Sequence, residues 1–346
     1  MLTRLAAIAA VLAAISGPAA AQDVVRLGNL KFAHYGAISY MKEIAAKYNL
    51  KIDEKQFAKG ADIYPAMAVD QIDIAASGAD GAVAARGNGV KLLVVAGFAN
   101  GGVRILGRPD LGAKTLADVK GKKVAVVRGG TQDLMLLAEL EKNGLTWSER
   151  PGKDVQLVYF NNYADLNQAL AQKYVDVICQ SEPQSTQAIS NGWGYEIVKP
   201  YDTPVGVPYR PLVMTEKMYT EKPEIAARVL KLFVEATKTF IEKPDLAEKY
   251  VREQVFKGQL SSKDFRDSME NADYTYDMPA GHMQVTADLM HKYGLGKMVN
   301  PPKSDAEWVK LDLLEKAKAE LGAKGESKGE SKGDSKSDPK PNTKTN

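Results

Sequence analysis

Lys122-Lys123-Val124-Ala125-Val126-Val127-Arg128-Gly129-Gly130-Thr131-Gln132-Asp133-Leu134 is the stretch on which the reading of the fold turns. Its opening is an apolar, β-branched run of strand length. Two glycines break the run. From Thr131 to Asn143 the apolar Leu134, Leu137, Ala138 and Leu140 fall on one helical stripe. A strand that enters a helix through a Gly-rich turn is the repeating unit of an α/β fold.

The same unit recurs on both sides. Upstream, Val24–Gly28, Lys51–Phe57, Ile72–Ala76 and Lys91–Phe98 read as strands, with helices at Ile38–Tyr48, Ala61–Val69 and Asp80–Arg86 between them. Downstream, strands at Val155–Tyr159, Val175–Cys179 and Tyr195–Val198 alternate with helices at Leu166–Gln172 and Pro183–Asn191. Two successive βα series predict two α/β lobes with mostly parallel sheets, which suits a chain of 346 residues, longer than one core usually supports. Leu212–Thr215 reads as one more strand, and everything after it reads as helix, including Pro223–Glu242 and a single helix over Asp305–Leu321. A strand followed by helices fits best back on the first lobe. The expected layout is residues 22–106 in lobe 1, 107–211 in lobe 2 and 212–321 returning to lobe 1, with crossings near Ile105–Arg108 and near Leu212–Met214.

The two ends are different material. Residues 1–21 carry Arg4, an apolar run from Leu5 to Ile15, a Ser16-Gly17-Pro18 break and Ala19-Ala20-Ala21. That is the pattern of a secretory signal cut before Gln22, which places the mature chain in a periplasm. Residues 322–346 hold Gly, Ser, Lys, Glu and Asp without a large apolar side chain, and are expected to stay disordered. The formal net charge is +3, from 46 Lys+Arg against 43 Asp+Glu. Arg4 and the tail, with six Lys against four acids, account for all of it, so the folding body is near neutral and gives no footing for nucleic-acid binding. One cysteine and three histidines leave no material for a disulfide framework or a Cys- or His-rich metal cage. No cofactor motif is present.

In open α/β sheets a ligand sits outside the carboxyl ends of the strands. In the first lobe that rule picks out Asn29, Lys31, Phe32, His34 and Tyr35, then Lys59 and Asp62, then Ser77, Gly78 and Ala79, then Phe98. In the second it picks out Arg128, Gly129, Gly130 and Thr131, then Asn161 and Asn162, then Gln180, Ser181 and Glu182. Tyr209 and Arg210 lie at the return crossing. The turn at Arg128–Thr131 is the most informative of these. Free N–H groups at a helix start favour an anion, and Arg128 can clamp a carboxylate or sulfonate with two hydrogen bonds. Thr131 either caps the helix or binds ligand. The Lys-Ser/Thr step of a nucleotide-binding P-loop is missing.

The ordered set of segments resembles periplasmic solute-binding proteins of ABC importers, in the nitrate/sulfonate/taurine and thiamine-pyrimidine-precursor group. Ala66-Met-Ala-Val-Asp70-Gln-Ile-Asp-Ile-Ala-Ala-Ser77-Gly is similar to that group's "ALxxGxIDxAxxG" stretch, with Asp70-Gln71 where the group has a glycine. Leu116-Ala-Asp-Val-Lys-Gly-Lys-Lys-Val-Ala-Val126 is similar to "sLaDLKGKkVav", and Val175-Asp-Val-Ile-Cys-Gln-Ser-Glu-Pro183 to "vDa...xEP". The resemblance implies a type II Venus-flytrap fold, a small-molecule ligand held between closing lobes, a monomer, and a membrane permease with its ATPase as partners. It marks Ser77-Gly78 as a ligand-contacting turn. Phe32, Tyr35 and Phe98 offer rings for a planar ligand, or pack as core. Glu182 suits a ligand with N–H donors, such as an aminopyrimidine, or merely opens a helix. A related enzyme class uses a cysteine-rich motif that Cys179 alone does not supply.

Overall fold

The computed structural model describes residues 21–323. The signal-peptide reading of residues 1–20, and with it the cut before Gln22, and all but the first two residues of the expected tail lie outside the described residues. Twelve strands build two six-stranded sheets. In chain order they are β1 (Asp23–Leu30), β2 (Leu50–Phe57), β3 (Ile74–Ala76), β4 (Leu92–Gly101), β5 (Val103–Gly107), β6 (Lys122–Val127), β7 (Trp147–Ser148), β8 (Val155–Phe160), β9 (Val177–Ser181), β10 (Tyr195–Val198), β11 (Tyr209–Thr215) and β12 (Ala272–Tyr274).

The first sheet runs β12-β4-β11-β3-β1-β2, and the second β10-β5-β9-β6-β8-β7. Parallel pairing links β1 to β2 and β3, and in the second sheet β6 to β8 and β9 and β7 to β8. Into each parallel set one antiparallel strand is wedged by the other half of the chain. β11 lies between β3 and β4, and β5 between β9 and β10. The mixed α/β fold is thus two βα series stitched together by exchanged strands.

The stitching fixes where the chain changes sheets. β4 ends at Gly101 and β5 begins at Val103, paired with Ser181 of β9. The step is Gly101-Gly102, with φ of 69° and 76°, angles that exclude most other residues. It comes several residues before the crossing expected from the sequence, because Val103–Gly107 reads as strand and gives no hint of which sheet it joins. The return is complete by Tyr209, which pairs with Asn100 of β4, so β11 belongs to the first sheet along its whole length.

Helices cover the sheets. Pro223–Glu242 buries Ala226, Val229, Leu230, Phe233, Ala236, Thr237 and Phe240 on one stripe and packs against Gly36–Ile44 and Asp312–Leu321. Pro223 opens it where a missing N–H costs nothing. Two segments read as helix differ. Ala272–Tyr274 is β12, an edge strand on β4 too short to show a period. Asp305–Leu321 is not one helix. A short 3-10 turn at Asp305–Glu307 is followed by a β-bridge of Val309 to Val94 of β4, with Val94 N donating to Trp308 O at 2.9 Å and Lys310 N to Val94 O at 2.8 Å, and the helix begins at Asp312. Burial of the Trp308 ring, 1% exposed, outweighs the local helical spacing. Among the described residues no helix is long and apolar enough to cross a membrane.

Candidate functional site

Two helix N-termini meet where the halves face each other. β3 ends at Ala76, and Ser77-Gly78 turns the chain into the helix Ala79–Gly87. β6 ends at Val127, and Arg128-Gly129-Gly130 turns it into Thr131–Lys142. Gly129 is needed for its φ of 69°. Gly78 is needed for space, since a Cβ there would run into Thr131 Oγ1 and Asp80 Oδ1. Thr131 Oγ1 donates to Asp80 Oδ1 at 2.7 Å, a buried hydrogen bond that joins the two halves.

Behind this contact lies Arg210, on β11, 1% exposed. Its Nη1 donates to Pro208 O at 3.2 Å, and its Nη2 has no hydrogen-bond partner. Among the described residues no carboxylate is within ion-pair distance of it. Its charge is nonetheless felt around it. It offsets the upward push of burial on the Asp80 carboxyl and the Tyr35 phenol. Burial first, and Arg210 second, hold His34 neutral, its pKa well below the usual imidazole range. His282 falls to about 4, through burial and Arg210, against a hydrogen bond from Tyr209 N. Among the described residues Arg210 is therefore a cation of the cleft interior with no direct ion-pair partner. Ser77 Oγ and the Tyr64 hydroxyl, both buried, have only each other for a side-chain neighbour. An unpaired buried polar group is costly, and several converging on one point mark where a ligand's polar atoms belong.

The rest of the wall is aromatic. Phe32 meets Tyr163 edge-on at 5.0 Å across the two halves, and stacks on His34 at 5.7 Å. Tyr35 meets Phe32 at 5.3 Å and Phe98 at 4.7 Å. Tyr163 donates to Gln132 Oε1 at 3.0 Å. The space enclosed by Phe32, Tyr35, Ser77, Asp80, Thr131 and Arg210 is only about 10 Å³. A second space of about 500 Å³ adjoins it and shares Asp80, Gly129 and Gly130 as walls.

So the structure brings together Phe32, Tyr35, Ser77, Gly78, Gly130, Thr131 and Arg210, with Ala79 and Gly129 beside them and His34 stacked behind Phe32. Other residues at the strand ends are occupied elsewhere. Asn29 donates to Ser39 Oγ and Glu54 Oε1 and accepts from Leu30 N. Gln180 donates to Tyr163 O and Asn167 Oδ1 and accepts from Ser181 N. Ser181 Oγ reaches Gly102 O at 3.4 Å. Asn162 caps its helix by accepting from Asp165 N, and Asn161 is exposed. Lys31 lies over the Phe256 ring, and Tyr209 faces His282. Phe98 packs under Tyr35.

Two expectations change most. Glu182 is fully engaged, by Arg104 Nε at 2.6 Å, Asn271 Nδ2 at 2.9 Å and Thr186 Oγ1 at 2.9 Å. It anchors the chain crossing beside Gly102, and Asp80 is a carboxylate that faces the cleft. Arg128 is half exposed, pairs with Glu149 at 2.7 Å and lies 3.5 Å over the Tyr159 ring. It stands at the rim of the larger space, while Arg210 holds the interior. Asp80, Gln132, Tyr163 and Tyr64 were not among the sequence candidates, because each sits inside a helix or a helix start. Asp133 belongs with them. Burial pushes its carboxyl up to about 6, against hydrogen bonds from Gly129 N and the Tyr159 hydroxyl.

The arrangement can hold an anion between two positive helix ends and a buried guanidinium. It shows no nucleophile–base pair. Cys179 is buried in β9, with its thiol pushed well above the usual range by that burial. Among the described residues no group of three or more His, Cys, Asp or Glu side chains is placed to hold a metal.

A family model described as the NMT1-like family matches residues 20–252. No curated protein matches the chain. Among solved structures, the alkanesulfonate-binding protein of Xanthomonas axonopodis pv. citri, bound to MOPS, is 22% identical with a TM-score of 0.68, over 85% of this chain and 100% of that one. The periplasmic aliphatic sulphonate-binding protein of Escherichia coli is 22% identical with a TM-score of 0.67, over 83% and 92%. The periplasmic nitrate-binding protein of Synechocystis PCC 6803 is 17% identical with a TM-score of 0.70, over 87% and 89%. At these identities the likeness is one of fold, and it matches the two-sheet architecture above.

Proposed function

This chain belongs to the NMT1-like family, and from that premise we propose that it is the solute-binding component of an ABC import system, taking a small organic anion between its two halves. The observation that carries the ligand charge is Arg210. It is a buried guanidinium with a partnerless Nη2, next to the buried Ser77 hydroxyl and the facing starts of two helices. A sulfonate or an aromatic carboxylate would supply the missing acceptor oxygens, and Phe32, Tyr35 and Tyr163 the apolar contact. In this reading the two sheets are lobes that close on the ligand, the chain works in the periplasm after loss of its leader, and it hands its ligand to a membrane permease. The protein acts by binding and release and not as an enzyme. Asp80 supports a second ligand type, one with an N–H donor beside its acidic group, as in an N-heterocycle or an amino acid analogue.

A thermal-shift panel of sulfonates, aromatic carboxylates, nitrate and aminopyrimidines tests the proposal. A ligand present at 100 times its Kd adds about 2.7 kcal/mol of stability, a shift of several degrees. If no acid in the panel raises Tm, the anion reading is wrong. If only the pyrimidines do, the second reading replaces it.

A further inference from the structure

Resting on that reading, we infer that the anion site is the inner end of a two-compartment cleft, and that the outer compartment, walled by the C-terminal arm Met290–Lys297, selects an organic acid with a bulky apolar body. The inner space of about 10 Å³ has room for about one water. It can seat the oxygens of a head group and little else. The outer space of about 500 Å³ falls within the range of small-molecule sites. At the ~30 Å³ a water occupies in the liquid, it has room for on the order of 15 non-hydrogen atoms. A bare inorganic anion would leave it unfilled.

The walls say what fills it. Tyr64, Pro65 and Ala84 come from the first half, and Gly129 from the second. Met290 and Leu295 come from the arm. These are apolar surfaces, set among the buried Asp80 and Asp133 and the polar Asn88, with Lys59, Arg128 and Lys297 also lining the space. The Tyr64 hydroxyl is buried and lines the space with the Ser77 hydroxyl as its neighbour, so the pair offers a hydrogen bond to the body of the ligand. The arm is fixed on both sides. A Cβ at Gly296 would come within 2.9 Å of Met290 Cε and 3.0 Å of Ala84 Cβ, so the arm packs without a gap on the first half. Lys292 Nζ and the Tyr293 hydroxyl each donate to Glu141 of the second half at 2.7 Å, and Tyr293 meets Trp147 edge-on at 5.8 Å. The arm lies beyond residue 252, where the family model ends. The head-group end thus belongs to the part of the chain that the family model matches, and this wall of the body compartment does not.

Calorimetric titration of the full-length protein with methanesulfonate and with naphthalene-2-sulfonate separates the two claims. Equal heads with unequal bodies should differ in Kd by at least about 100-fold in favour of the naphthalene compound, from the apolar area it buries. In Met290→Ala/Leu295→Ala that ratio should fall at least about tenfold, and Ala84→Phe, which fills the compartment from the other side, should lower it as well. Near-UV circular dichroism checks that each variant is folded. Binding of the two sulfonates within about threefold of each other would overturn the inference and leave the anion reading standing. So would a ratio that survives in both folded variants. Failure of both sulfonates to bind would overturn both.

Discussion

Replacing Arg210 by Gln and, separately, Arg128 by Gln sets the interior cation against the rim cation. Arg210 is 1% exposed, with one terminal nitrogen free of partners. A hydrogen bond from a buried charged donor to an anionic ligand contributes about 1.5–3 kcal/mol, which at about 1.4 kcal/mol per decade is roughly a 10- to 150-fold weakening of Kd. Arg210→Lys keeps the charge and loses the planar fork, so its loss should fall between wild type and Gln. Arg128 is different. Its guanidinium is about half exposed and already paired with Glu149. Exposed pairs of that kind contribute about 0–1 kcal/mol, so Arg128→Gln should alter Kd by no more than about fivefold. Calorimetry with naphthalene-2-sulfonate, on variants whose far-UV spectra match wild type, gives the comparison. If Arg128→Gln weakens binding more than Arg210→Gln does, the assignment of the head group to Arg210 is wrong.

Three further outcomes follow from the geometry. Asp133 has a folded-state pKa raised to about 6 by burial, so the folded protein binds more protons than the unfolded chain between about pH 4 and 6 and stability falls as pH rises through that window. Asp133→Asn should therefore gain about 2–3 kcal/mol over wild type at pH 7.5 and almost nothing at pH 4. Melting curves with the same difference at both pH values would refute this. Glu182→Gln takes from the buried Arg104 its closest carboxylate but leaves it Glu196 and Asp267, and should cost about 1–3 kcal/mol in a denaturant melt, and a loss under about 0.5 kcal/mol would show the pair to be dispensable. Gly78→Ala suits the local backbone, with φ of −70°, but sets a methyl against Thr131 Oγ1 across the cleft. It should hold the halves apart, raising the radius of gyration in X-ray scattering and weakening ligand binding by about tenfold. An unchanged scattering profile with ligand present would count against closure at this point.

What the sequence made legible was position along the chain direction. Val124–Val127 before Gly129-Gly130, and Ile74–Ala76 before Ser77-Gly78, are strands that must deliver their turns to one edge of a sheet. The two turns face each other in the fold. What it left hidden was the identity of each side chain's neighbour. Glu182 and Arg104 are 78 positions apart in sequence, and Gln180 and Asn167 are on different elements, so nothing local announces that these polar groups are already satisfied. Arg210 and Arg128 look alike as residues after a strand or at its start. Only burial separates them, and burial is set by which strands flank β11. Asp80 was missed for a related reason. As the second residue of a helix it reads as a favourable dipole partner, and its place in the cleft depends on Thr131 arriving from the other sheet. The edge strand β12 is too short to show a period, and the β-bridge beside Trp308 was lost to local helical spacing, which tertiary burial overrode.

The junction of the two sheets also has a mechanical meaning. Gly101 N donates to Pro208 O at 3.0 Å, so residues 103–208 leave the first sheet and rejoin it at the same place. β4 and β11 are antiparallel neighbours, with Leu92 opposite Thr215 at one end and Asn100 opposite Tyr209 at the other. The pair is in effect a hairpin, and the whole second sheet with its helices occupies the position of the hairpin loop. Along the chain the inserted half hangs from the Asn100–Tyr209 end of that ladder alone, and contacts such as Thr131 with Asp80 and Lys292 with Glu141 tie it to the rest.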